Sequence, residues 1–426
     1  MRPCAPAAPP PLFAPFDFAL ASSAALYFLV ALTRASRHRS RVIAASTTGT
    51  PSSGARPLPP ALLFVTLHGD KDDQAHPGNA LVRYRLTGGH SRNGKATLSA
   101  EPLGPVSLTL QEDAGKVEPE GGASALLMPR GMALLLPDTL LIASAADALA
   151  EAQKGSILAV SARAACAASG GLAAQAPVRR SAGRPDARVA ARVFAVDGVR
   201  HPYGVTVSPS PGKPGAARVV VANQGSGRVL WYDPGAFQGD GGGAAAAAKG
   251  GSPRPLRPSA ELARHCTDSA LLTPGTTGVR GAASSDDGSV LFVACRTEDA
   301  VYAHSPNGSL LGAIRVPQPI ALTWGDVGET KGLFIGSDGA ESDDGVVTVA
   351  FWDASQGMLT QRYSHRDGGG HAAGIARFGA ALLVLGQDRG ALHQFDAATG
   401  DFVATLVTGM KRPEALLVWT GLCEDK

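Results

Sequence analysis

The chain has 426 residues, 44% hydrophobic and 5% aromatic, with 52 glycines, 31 prolines and a net charge of +3. This is enough apolar material for a sizeable core, and the glycine and proline load favours many short strands joined by tight turns over long helices. The charge is uneven: Arg2, Arg34, Arg37, Arg39, Arg41 and Arg56 oppose only Asp17 in the first 60 residues, so the remaining residues carry a net −2, which leaves no basic footprint and excludes nucleic acid as a partner.

The first candidate element is the apolar run Phe18–Leu32, 15 residues long, which is long for a signal-peptide core and short for a membrane span. A stretch rich in Arg, Ser and Thr and free of acids follows it to residue 60, a composition that resembles an organelle transit peptide. Residues 1–60 are therefore expected to be a targeting or anchor segment, disordered or removed. They address the chain to a plastid or to the secretory pathway, and they are its one expected route to a membrane.

From residue 61 onward one unit recurs: a Pro-x-Gly-like turn, an apolar strand, a turn, a second apolar strand, a polar turn, and a third strand ending near an Asp. Copies begin at Gly131, Gly204, Gly281, Ile320 and Gly374. Turns such as Gln224-Gly225-Ser226-Gly227 and Asp388-Arg389-Gly390 suit tight reversals. Units of roughly 40 residues with four short antiparallel strands are the signature of propeller blades. The ends complement each other: Leu62–Leu67 reads as a second strand with no inner strand before it, and Pro413–Trp419 as an inner strand with nothing after it. An open sheet edge is an aggregation hazard, so the expectation is closure by pairing the C-terminal strand with the N-terminal blade. The predicted fold is an all-β, six-bladed β-propeller spanning 61–422, expected to be a monomer, with insertions near 162–190 and 235–274. A helical turn is predicted at Ser259–His265 inside the second insertion.

The residues Pro129-Arg130-Gly131-Met132, Pro202-Tyr203-Gly204-Val205 and Phe395-Asp396-Ala397-Ala398-Thr399-Gly400 carry a resemblance. In them the chain resembles the NHL, SMP-30-like and virginiamycin B lyase-like propellers. WD40 repeats fit badly, because Trp352-Asp353 is a single instance.

Inner-strand starts of a propeller converge on one mouth of its channel. The middle residues of the six turns read as Arg130, Tyr203, Arg280, Gln318, Ala373 and Glu414. The arginines suit carboxylates or phosphates, so the mouth is expected to engage a protein or a small anionic ligand without catalysis. The alternative is a metal-dependent lyase or lactonase with its site in the channel. His201 and His371 occupy matching places before Gly204 and Gly374, and with Glu414 they could hold a divalent metal. The resemblance implies channel histidines for the lyases and a Glu, Asn and Asp around a cation for the lactonases. Asn223 and Asp388 sit in suitable turns here, but no early glutamate matches.

Cys4, Cys166, Cys266, Cys295 and Cys423 form no C-x-x-C pair. Cys295 reads as a small buried hydrophobe, and a Cys166–Cys266 bridge between the insertions is conceivable. The acidic run Asp338–Gly345 lacks the spacing of an EF-hand. Asn307-Gly308-Ser309 is a glycosylation sequon, meaningful only in a secreted chain.

Overall fold

A computed structural model describes residues 58–68, 79–90, 96–110, 128–135, 138–145, 155–168, 188–196, 198–213, 215–234, 260–261, 266, 278–339, 345–353, 355–356, 358–366 and 370–421. The targeting segment expected over 1–60 lies outside these residues except at its end, as do most of both insertions. Among the described residues no helix is long and apolar enough to cross a membrane.

The chain is all-β. In sequence order its strands are β1 (Ala61–His68), β2 (Asn79–His90), β3 (Ala96–Leu110), β4 (Pro129–Leu135), β5 (Thr139–Ala145), β6 (Gly155–Ser161) and β7 (Arg188–Ala195). They continue with β8 (Pro202–Pro209), β9 (Ala217–Asn223), β10 (Arg228–Tyr232), β11 (Ala260–Glu261), β12 (Val279–Ser284), β13 (Leu291–Cys295), β14 (Ala300–His304) and β15 (Leu310–Arg315). The last are β16 (Pro319–Val327), β17 (Thr330–Ser337), β18 (Val346–Asp353), β19 (Met358–Arg366), β20 (Ala372–Phe378), β21 (Ala381–Gly386), β22 (Ala391–Asp396), β23 (Phe402–Val407) and β24 (Pro413–Trp419).

Four sheets have four strands each: β8 to β11, β12 to β15, β16 to β19 and β20 to β23. A fifth has eight strands in the order β24-β1-β2-β3-β7-β6-β5-β4. Within its two antiparallel halves the last strands are β3 and β7, and these join the halves through a parallel pairing of Ser107–Leu110 with Arg188–Ala191. β24 pairs antiparallel with β1, Leu62 opposite Trp419 and Val65 opposite Leu416.

Two expectations are corrected. The helical turn foreseen at Ser259–His265 is not formed at its start: Ala260 and Glu261 are extended and pair with Trp231 and Leu230 of β10. The backbone there completes a sheet that would otherwise lack its fourth strand, and this outweighs the weak local helical preference. Cys295 is buried as expected, but Cys266 bonds it and not Cys166. Cys266 and Cys295 form a disulfide, their Cα atoms 5.7 Å apart. The pairing ties the second insertion to the end of β13.

The one described α-helix, α1 (Ala162–Ala167), starts the first insertion. The Ser161 hydroxyl caps its N-terminus, accepting from the Ala164 amide at 3.1 Å. At its other end the buried Arg83 of β2 donates to the carbonyls of Ala165 (2.5 Å) and Cys166 (3.2 Å). A cation on terminal carbonyls is favourable.

The apolar runs of the middle strands are explained by burial on both faces. Along β1, Leu62 and Phe64 pack with Leu140, Ile142 and Leu158 of β5 and β6, while Leu63 and Val65 pack with Leu383, Leu385 and Leu392 of β21 and β22. The other units repeat this. The β4 and β8 units share a core around Phe194 and Tyr232, the β8 and β12 units one around Trp231 and Val293. Phe292 with Leu333, and Phe334 with Val384, fill the remaining two. Six cores thus lie between successive units, and a one-residue slip of any strand would exchange its two core sets.

The strands β4, β8, β12, β16, β20 and β24 pack against one another in succession, with β24 also against β4. Close approach there needs small residues. A Cβ on Gly131 would meet the Tyr203 carbonyl oxygen at 2.7 Å, and one on Gly204 would meet that of Arg280 at 2.8 Å.

Candidate functional site

The residues at the starts of these six strands are placed by one repeated irregularity. In each strand the ladder to its partner shifts register just after the first residue: between Pro129 and Met132, Pro202 and Gly204, Val279 and Ala282, Pro319 and Ala321, and Ala372 and Gly374. In β24 the shift falls at Glu414, where Thr66 and Leu67 of β1 oppose Ala415 and Pro413. A bulged residue leaves the ladder and its side chain is re-aimed. Arg130, Tyr203, Arg280, Ile320, Ala373 and Glu414 occupy the six bulges.

The backbone before each bulge is held by a second repeated device. The amide at the end of the second strand, or just past it, donates to the carbonyl ahead of the inner strand: His68 to Arg412 (3.0 Å), Ala145 to Met128 (3.3 Å), Arg296 to Gly278 (2.8 Å), Asp338 to Gln318 (3.1 Å) and Gln387 to His371 (2.9 Å). Met128, His201, Gln318 and Arg412 each stand before a proline in the left-handed region, with φ between 43° and 46°. Such strain, of about 1–3 kcal/mol per residue, persists only where the surroundings enforce it. The buried Thr66 hydroxyl links two of the bulges, donating to the Arg130 carbonyl (2.9 Å) and accepting from the Ala415 amide (3.0 Å).

A cavity of about 80 Å³ lies where the six strands converge. Three of the bulged residues, Arg130, Tyr203 and Glu414, bring polar groups to its wall, while Met132, Val205, Leu322, Ile375 and Leu416 bring apolar side chains. Arg130 and Glu414 form an ion pair of 2.5 Å, with 14% and 3% of their side chains exposed. Glu414 also accepts from the Gln387 amide at 2.7 Å and, more weakly, from the Tyr203 hydroxyl at 3.4 Å. The guanidinium of Arg130 stands 5.2 Å from the Tyr203 ring centroid and that of Arg280 stands 5.0 Å from it.

The electrostatics follow from this packing. Burial opposes the charge of Arg130, but the Glu414 carboxylate more than offsets it and the pKa lies above the usual value. Arg280 has no such help from Glu414: burial first, with Arg296 and Arg130 as like charges, outweighs Tyr203 and Asp338 and lowers its pKa to about 10. Burial and the Glu414 carboxylate raise the pKa of Tyr203, so its phenol stays protonated as a donor. The Nε–H of Arg130 is buried and has no hydrogen-bond partner.

A second cluster adjoins the first. Asp338, 4% exposed, accepts from Arg296 at 2.7 Å and pairs with the His371 imidazole. Arg296 also donates to the Gln318 amide oxygen at 2.8 Å, and the Asp388 carboxylate accepts from the His371 backbone amide at 3.3 Å. Asn223 is spent on its own turn, accepting from the Arg200 amide (2.6 Å) and donating to the Gly198 carbonyl (2.7 Å).

Of the residues singled out in the sequence, Arg130, Tyr203, Arg280 and Glu414 are brought together. The position assigned to Gln318 is corrected: the bulge of β16 belongs to Ile320, and Gln318 lies outside the cavity wall. Pro317-Gln318-Pro319 imitates the turn two residues early. His201, His371 and Glu414 do not assemble as ligands. Glu414 is engaged by Arg130 and Gln387, His371 by Asp338, and among the described residues no group of three His, Cys, Asp or Glu side chains is placed to hold a metal. The donor set does not fit a divalent cation.

Sequence reasoning gave no site role to His68, Gln224, Arg296, Asp338 and Gln387; His68 ends its second strand, the others stand one residue past theirs, and all but Arg296 are buried. Their signal is a polar residue closing an apolar second strand.

No family model matches the chain, and no curated protein matches it. Among solved structures it is similar to a Lactobacillus plantarum protein at 14% identity, covering 85% of this chain and 99% of that one, with a TM-score of 0.45. It is similar to the periplasmic gluconolactonase of Pseudomonas aeruginosa at 16% identity, covering 84% and 99%, with a TM-score of 0.44. A third is the β-propeller domain of Myceliophteria thermophila Cps50 (Swd1), at 9% identity, covering 83% and 88%, with a TM-score of 0.42.

Proposed function

We propose that residues 61–422 form a six-bladed β-propeller, closed by β24 against β1, whose channel mouth binds a small anionic ligand without transforming it. Support for the wheel comes from six shared cores and six successively packed inner strands. The observation that carries the binding reading is the cavity at the converging strand starts, walled by the buried Arg130, Tyr203 and Glu414 above apolar side chains. The surrounding charge agrees. Burial and the like charges of Arg296 and Arg130 oppose the charge of Arg280, and an anion would relieve it.

Titration calorimetry with acetate and with inorganic phosphate tests this on the full chain. Binding should weaken about tenfold in Tyr203→Phe and in Arg280→Gln, the loss of one charge-assisted contact. No binding of either anion, or binding indifferent to both substitutions, would overturn it. Turnover of a lactone probe, lost in the same variants, would replace it with an enzymatic reading.

A further inference from the structure

The wall of the cavity has two chemically distinct parts. Above are Arg130, Tyr203 and Glu414; below, two residues past the bulge of each strand, are Met132, Val205, Ala282, Leu322, Ile375 and Leu416. None of these six carries a side-chain hydrogen-bonding group stronger than a thioether. The space of about 80 Å³ exceeds what one water needs on the same measure, roughly 10–15 Å³, and it is too small for a bulky sugar acid.

We propose that the ligand is a short aliphatic monocarboxylate, its carboxylate at Arg130 and Tyr203 and its hydrocarbon body on the apolar floor. This rests on the anion-binding reading and adds the ligand's class to it. The head lies beside the Arg130 guanidinium, which lines the cavity and is buried in its ion pair with Glu414. The head accepts from the Tyr203 hydroxyl, whose present bond to Glu414 is long, at 3.4 Å, and is readily redirected. Glu414 keeps its bonds to Arg130 and Gln387, and so holds the guanidinium in place. The tail removes apolar surface from water without asking any side chain of the floor for a hydrogen bond. Polyhydroxylated acids lose there the hydrogen bonds their hydroxyls make to water.

The test is a calorimetric series of acetate, propionate, butyrate and valerate, with gluconate and inorganic phosphate as comparisons. Affinity should rise about fourfold per methylene, the factor equivalent to burying one CH₂, until the cavity is full and then stop or fall. Butyrate should bind at least tenfold more tightly than gluconate. In Leu322→Ala, which enlarges the floor, the best chain should lengthen by one or two carbons. Anions that bind with no chain-length slope, or gluconate binding as tightly as butyrate, would overturn this inference and leave the anion site standing. Failure of acetate and phosphate to bind at all would remove the underlying reading instead. If Leu322→Ala does not fold, the wild-type series alone decides.

Discussion

Arg130 and Glu414, 284 residues apart, are joined by an ion pair between the second residues of β4 and β24. Both are largely withdrawn from water, so removing one partner strands a buried charge. Glu414→Leu should cost about 3–5 kcal/mol, whereas the double replacement Arg130→Met with Glu414→Leu should recover most of that loss. Urea unfolding of the two singles and the double closes the cycle. Additive losses would mean the pair is not coupled.

Arg280 should be a residue that the fold tolerates at a cost. Its pKa is lowered to about 10 by burial and by like charges, so the unfolded chain holds the proton more tightly than the fold does. The penalty is present at every pH below about 10 and disappears as pH rises toward the unfolded value. Arg280→Met should therefore stabilise the protein at pH 7 by about 1–2 kcal/mol, after allowance for residual solvent contact and for the lost stacking on Tyr203. The same variant should bind anions about tenfold more weakly. Thermal unfolding at pH 7 reads the first effect, and a drop in midpoint would contradict it.

The contacts between inner strands should tolerate no methyl group. A Cβ at Gly281 would meet the Ile320 carbonyl oxygen at 2.4 Å, a backbone atom that cannot step aside. At Gly325 the nearest atom is Cγ of Arg377 at 3.3 Å, on a side chain that can turn away. Gly281→Ala should lose about 1–3 kcal/mol or more by overpacking, and Gly325→Ala should stay within about 1 kcal/mol of wild type. Equal unfolding midpoints for the two variants would show that the inner strands are not tightly juxtaposed.

The repeat was legible because its punctuation is chemical: Pro129, Pro202 and Pro413 open inner strands, and glycine or alanine follows two residues later where backbones nearly touch. The register failed at Gln318 because Pro317 and Pro319 offer two equivalent starts, and only the packing of Ile320 against its neighbours chooses between them. The strand at Ala260–Glu261 was illegible for another reason. Two residues carry no periodicity, and their conformation is set by the open edge of β10. The polar positions closing the second strands were hidden because His68, Arg296, Asp338 and Gln387 share no residue type. What they share is a backbone hydrogen bond, and sequence does not encode its partner locally.

Truncation before β24 tests the proposed closure. β24 brings Leu416 to one core and Trp419 to another, and it covers the edge of β1 with a ladder running from Leu62 to Leu67. Deleting residues 413–426 removes both core side chains and leaves that ladder unpaired beside the most buried strand of its unit. An uncovered apolar edge recruits other chains, and loss of two large core side chains costs several kcal/mol, on the order of a domain's whole stability. The truncated chain should therefore aggregate, or show no cooperative thermal transition by circular dichroism. Adding a peptide of residues 411–422 in trans should restore part of the transition, because the vacated groove is specific for that strand's alternating residues. A truncated protein that stays monodisperse and melts at the wild-type midpoint would mean that β24 does not seal the wheel.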